Sequence, residues 1–142
     1  MNIQIAEMAA RDYDEVFRLW QNAEGVGLTD SDSTEGVQAY LTRNPGLSLV
    51  ARQDGRIVGA ILGGHDGRRG YLHHLAVLPE HRHQGIGAAL VRECLSRLAQ
   101  VGIQKCHVWV YQANRDAQWF CQKLGWTDRT DLKVMSREID DR

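Results

Sequence analysis

Tyr71-Leu72-His73-His74-Leu75-Ala76-Val77-Leu78-Pro79-Glu80-His81-Arg82-His83-Gln84-Gly85-Ile86-Gly87-Ala88 decides the fold. An apolar strand runs out at Pro79, a charged loop follows, and two glycines open a helix. Leu90, Cys94, Leu98 and Val101 lie on one stripe of that helix, and Gly102 stops it. Free N–H groups at a helix start, with the positive end of the dipole, suit phosphate, and glycine lets a ligand approach the backbone. Arg82 adds a fixed charge that can pair with phosphate. Two other phosphate loops are excluded. A Walker loop requires Gly-Lys-Ser/Thr, absent at Ile86-Gly87-Ala88, and a dinucleotide fingerprint requires Gly or Ala where Leu90 stands.

Upstream, Leu47 to Arg52 and Arg56 to Leu62 flank Gln53-Asp54-Gly55, in which Asp-Gly is a hairpin signal. Gly64-His65-Asp66-Gly67 supplies a second turn before Tyr71. Ile3 and Ile5 alternate with polar neighbours as in a strand. Asp12 with Glu15, and Asp32 with Glu35, have the spacing of N-caps with reciprocal partners. The first pair precedes a helical face of Val16, Leu19, Trp20 and Ala23. The second precedes Val37, Tyr40 and Leu41, in a helix that stops at Asn44-Pro45. Downstream, Lys105 to Tyr111 reads as a strand, Asp116 to Leu124 as a helix ending at Gly125, and Val134 to Ile139 as a last strand. Hairpins followed by β-α-β-α predict an α/β or α+β chain, with a mixed sheet and helices on both faces.

The whole chain, 1–142, fits one domain: 142 residues, 43% hydrophobic, give an ample core at this size. There is no repeat, low-complexity tract or Ser/Pro linker. A net charge of −1 argues against a nucleic-acid partner and against disorder. The longest apolar run, Ile57 to Gly64, is too short for a membrane span, and the N-terminus lacks the basic start of a secretory signal. Cys94, Cys106 and Cys121 are odd in number and form no CxxC pair, which suggests free thiols in a reducing cytoplasm.

Arg82-x-x-Gly85-x-Gly87, after Leu75-Ala76-Val77-x-Pro79, resembles the acyl-CoA signature of the GNAT superfamily of N-acetyltransferases. Asn114, Ala117, Phe120 and Leu124-Gly125-Trp126 resemble the family's Asn-x-x-Ala-x-x-Phe-Tyr-x-x-Leu-Gly-Phe helix. The order of elements also matches the family fold from about Ile3 to Ile139. The resemblance implies a three-layer fold with a mostly antiparallel sheet, and acetyl-CoA as cosubstrate. Main-chain amides of Arg82, His83, Gln84, Gly85, Ile86, Gly87 and Ala88 would hold its pyrophosphate. The edge of Leu75-Ala76-Val77 would bond the pantetheine arm, and an amide near Ala76 or Val77 would polarise the thioester carbonyl. Asn114 would contact the cofactor from its helix.

The chain departs from the family pattern at Cys121, where many members place a proton-donating tyrosine. A thiol could donate, but a small buried hydrophobe explains it as well, and Tyr111 is a substitute donor. The acceptor amine must lose a proton. His73 and His74 are base candidates, expected on opposite faces by strand alternation, and Glu24 on the inter-helix loop is the carboxylate candidate. Asp32 is read as a helix cap, and Asp30 as a solvated charge. His81-x-His83 lacks a third ligand, so no metal is expected. The four tryptophans read as core and cleft wall.

The expected activity is direct acetyl transfer from acetyl-CoA to the primary amine of a small molecule or peptide, with a homodimer allowed. The rivals are a CoA-binding regulatory or assembly module without catalysis, and an enzyme using a longer acyl-CoA.

Overall fold

The computed structural model describes residues 2–139. Contacts divide the chain into two compact units, the first ending at Tyr111 and the second beginning at Gln112. The first contains β1 (Gln4–Glu7), α1 (Tyr13–Gln21), α2 (Thr34–Arg43), β2 (Leu49–Gln53), β3 (Arg56–His65), β4 (Gly70–Val77), α3 (Ile86–Gln100) and β5 (Cys106–Val108). The second contains α4 (Arg115–Lys123).

The five strands form one sheet in chain order, antiparallel from β1 to β4 and parallel between β4 and β5. A parallel pair needs a long crossover, which α3 supplies. The β2–β3 hairpin turns at Asp54 and Gly55, both with positive φ (53° and 77°), as the Asp-Gly signal predicts.

Met8, Val16, Leu19, Trp20, Val37, Val50, Ala60, Leu62 and Ala76 form one buried cluster joining α1 and α2 to the sheet. The helical stripes produce this directly, since Val16, Leu19 and Trp20 recur at helical spacing. On α3, Ile86, Leu90, Val91, Cys94 and Leu98 are buried. A Cβ built on Gly59 meets Ile86 and Leu90 at 3.2 Å, whereas its neighbour Ala60 belongs to the α1 cluster. Strand alternation therefore puts α3 on the opposite face from α1 and α2.

Both expected N-caps are corrected. Asp12 precedes α1, but its carboxylate accepts from the Ala9 amide and pairs with the Arg52 guanidinium. Glu15 reaches across to the Ile57 amide at 2.8 Å. A buried carboxylate gains more from a charge-assisted bond to guanidinium than from a cap. Ser33 caps α2 by accepting from Gly36 N at 3.0 Å, and Asp32 turns inward instead.

The later elements are shorter than the pattern suggests. Val101, expected on the buried stripe, ends α3 and is 56% exposed. β5 stops at Val108 rather than Tyr111 because its last partner on β4 is Leu72. No strand forms at 134–139, where Val134, Met135 and Ile139 are exposed. Alternation without a pairing neighbour and a covered face does not make a strand.

Leu90 is fully buried where α3 meets β3. Leu90→Ala is expected to lower unfolding free energy by about 2–5 kcal/mol, read by urea denaturation.

Candidate active site

The centre of the site is an irregularity in β4. Ala60 faces Ala76 and Leu62 faces His73, so Ile61 of β3 stands opposite two residues of β4, His74 and Leu75. This is a β-bulge, and His74 carries it at φ 57°. A left-handed backbone at a non-glycine residue costs about 1–3 kcal/mol and persists only where its surroundings enforce it. Three contacts do so here. His74 Nε2 donates to Asp32 Oδ1 at 2.9 Å, the buried Trp20 indole donates Nε1–H to the His74 carbonyl at 2.9 Å, and the two rings meet edge-on at 5.0 Å.

Asp32 is held as firmly as the imidazole it holds. It closes a 3-10 turn, Asp30–Asp32; its Oδ2 accepts from Thr29 N at 3.0 Å and its carbonyl accepts from the Tyr13 hydroxyl at 2.6 Å. An ionised carboxylate only accepts, which assigns the hydrogen to His74 Nε2. Sequence reasoning missed this role because the partners are 42 residues apart and Asp32 also stands at cap spacing.

The bulge corrects the expectation that His73 and His74 face opposite sides of the sheet. Their rings are 6.5 Å apart, and each meets the α1–α2 layer, His74 at Trp20 and His73 at Tyr40. The extra residue breaks the alternation on which that expectation rested. His73 stacks nearly parallel to Tyr71 at 6.5 Å and meets Trp109 at 5.3 Å. Its ring nitrogens have no hydrogen-bond partner among the described residues. Burial, and then the neighbouring His74, push its pKa below the ordinary value of 6.5, against an upward pull from Asp32.

Beyond Leu72, β4 has no β5 partner among the described residues, so Ala76 and Val77 are paired on the β3 side alone and Leu75 lies in the bulge. Ala76 is buried in the α1 cluster, while Leu75 and Val77 are half-buried. The chain then makes a 3-10 turn, Pro79–His81, in which His81 Nε2 meets Gln53 Oε1 at 2.8 Å. Arg82 Nε donates to the Val77 carbonyl at 3.0 Å, so part of the guanidinium fork ties the loop to the strand end. His83 (φ 62°) and Gly85 (φ 83°) bend the backbone before α3. Arg82, His83, Gln84 and Gly85 are exposed, Ile86 is buried, and Gly87 and Ala88 are half-buried.

No side chain caps α3 and no acid lies in its first turn. The first amides of a helix have no acceptor within it, and a Cβ built on Gly85 meets nothing within 4 Å. These features fit a pyrophosphate.

The remaining candidates are less tied. Glu24 is exposed on the α1–α2 loop, with no hydrogen-bond or ion-pair partner among the described residues. Tyr111 is 61% exposed, and its hydroxyl occupies the place a Cβ on Gly27 would take, so it packs onto the same loop. In the second unit, Asn114 Oδ1 accepts from Ala117 N at 3.0 Å and caps α4. Cys121 is half-buried there, and burial pushes its thiol above the usual range, making it a weaker acid. Among the described residues no three His, Cys, Asp or Glu side chains converge to hold a metal ion, and no helix is long and apolar enough to cross a membrane.

The family model described as acetyltransferase (GNAT) matches residues 13–126. An acetyltransferase of Photorhabdus laumondii is 36% identical over 124 residues, 87% of this chain and 86% of that one. The crystal structure of Ard1 from Thermoplasma volcanium superposes with a TM-score of 0.80 at 23% identity, over 89% of this chain and 84% of that one. The PaiA N-acetyltransferase of Thermoplasma acidophilum, solved with coenzyme A, gives 0.79 at 21% identity, covering 89% and 91%.

The positive φ of His74 is directly testable. His74→Gly and His74→Ala both lose the Asp32 contact, but only glycine adopts the left-handed backbone freely. The glycine variant is expected to be more stable by about 1 kcal/mol, measured by chemical denaturation.

Proposed function

The chain belongs to the GNAT acetyltransferase family, and from that premise we propose that it transfers acetyl from acetyl-CoA directly to a primary amine. The observation that carries this reading is the opening of β4 beyond Leu72, flanked by the uncapped start of α3 and by His73. The cosubstrate supplies an acetyl group activated as a thioester. Backbone amides from Arg82 through Ala88 bind its pyrophosphate, helped by the positive end of the α3 dipole. The unpaired edge at Leu75, Ala76 and Val77 binds the pantetheine arm as an added strand would, and an amide at Ala76 or Val77 polarises the carbonyl.

His73 is the base in this reading, and His74 positions it. The His74 Nε2 is committed to Asp32, whereas both nitrogens of His73 are without hydrogen-bond partners among the described residues. His74 and Asp32 face His73 from one side and the Tyr40 and Tyr71 hydroxyl-bearing rings from the others. Burial pushes Tyr40 up to about 12, so it stays protonated. His73 takes the proton from the ammonium, the neutral nitrogen forms its bond to the acetyl carbon, the C–S bond breaks, and the nitrogen sheds its second proton to water as the amide forms. The departing thiolate is protonated by water or Tyr111, leaving Cys121 to packing.

Two measurements test this. Gly87→Asp adds an acid to the first turn of α3, which favours the helix but repels phosphate. It is expected to weaken CoA binding at least tenfold by calorimetry while melting no lower than wild type; undiminished affinity moves the cofactor elsewhere. Because His73 is neutral above a pKa shifted below 6.5, kcat/KM falls as pH drops through that value. His73→Gln removes this limb and lowers the rate about 10²- to 10⁴-fold in a thiol-release assay over an amine panel. CoA binding with no thiol release on any amine favours a non-catalytic module.

A further inference from the structure

We propose that Trp109 is the acceptor-recognising residue of this enzyme, binding the substrate amine as a cation over its indole ring. This rests on the acyl-transfer reading with His73 as base, and it adds the chemical class of the acceptor. Trp109 lies one residue past the end of β5, where β4 and β5 part, and is 65% exposed. Its ring is nevertheless fixed by neighbours, 5.3 Å from His73 and 6.0 Å from Tyr71 between centroids. An amine nitrogen within hydrogen-bonding distance of the His73 imidazole is therefore within one side chain's breadth of the indole.

The indole has room for a cation. Lys123 Nζ lies 4.4 Å over the Trp119 ring, whereas among the described residues no Lys or Arg stacks on Trp109. Aromatic faces attract ammonium groups through their quadrupole, tryptophan most strongly. The charge of the α1–α2 segment has the matching sign. From Leu19 to Thr42 there is no Lys or Arg, but there are Glu24, Asp30, Asp32 and Glu35. Tyr111, two residues beyond Trp109, packs on Gly27 within that segment. The acceptor thus arrives as an ammonium ion, is held between the indole face and the acidic loop, and gives its proton to His73. A neutral aryl amine or an anionic amine is a poor substrate by the same logic.

The test uses a fixed-charge probe and its neutral isostere, choline and 3,3-dimethylbutan-1-ol, with tryptophan fluorescence and competition against the best amine of the panel as readouts. Choline is expected to bind at least tenfold more tightly than the alcohol and to compete with the amine, not with acetyl-CoA. Trp109→Leu is expected to abolish that preference and to raise KM for the amine about tenfold. It should leave kcat and the KM for acetyl-CoA within about twofold. Trp109→Phe keeps an aromatic face and is expected to retain part of the preference, with melting curves showing both variants folded. Equal binding of choline and the alcohol by wild type overturns the proposal. So does an unchanged amine KM in the folded leucine variant, or a variant whose only change is in self-association. If no amine is acetylated, the transfer reading fails, while the choline preference still reports on Trp109 by fluorescence.

Discussion

The contact between the Asp32 carboxylate and the His74 imidazole is the constraint on which the site depends. The backbone at His74 sits in a conformation that an L-residue avoids. A charge-assisted bond on its side chain and a tryptophan N–H on its carbonyl hold it there. The bulge they enforce sits in β4. It puts His73 on the same side as His74, among Tyr40, Tyr71 and Trp109, and it lies just past Leu72, where the parallel pairing with β5 ends. One local distortion thereby accompanies both the shared side of the two histidines and the open strand edge.

The distortion is supported by the core. Trp20 on α1 is fully buried, and its indole N–H needs a partner there. The His74 carbonyl, turned out of the ladder by the bulge, is that partner. Asp32 is oriented in turn by the Thr29 amide and the Tyr13 hydroxyl, so the α1–α2 loop is tied to β4 at a single carboxylate. The same loop contributes Gly27, against which Tyr111 packs, and it is acidic along its length. At the other end of β4, the start of α3 carries no acid. The acidic α1–α2 loop and the acid-free start of α3 thus differ in charge character.

Much of this was legible in the chain. The turn at Asp54-Gly55, the two early helices and the loop before α3 follow from local rules, because each depends on residues within one or two turns of one another. The phosphate-binding expectation for Arg82 to Ala88 rests on a local pattern of the same kind. The caps were misread for a physical reason: Asp12 and Asp32 have cap spacing, but each found a cationic or imidazole partner about 40 residues away that a local rule cannot weigh. The strand expected at 134–139 failed similarly, since alternation describes a face and says nothing of a neighbour to pair with.

What the sequence determined by itself is the set of elements and the family, through hydrophobic period, turn chemistry and two spaced motifs. What only tertiary structure decided is which histidine has uncommitted nitrogens among the described residues. His73 and His74 are adjacent and chemically identical, and alternation sends them apart. The long-range bond to Asp32 engages one and, through the bulge it sustains, turns the other into the same layer beside Trp109. Such a choice depends on which side chains meet across 42 residues of chain, and pair energies of that kind exist only once the core has brought them together.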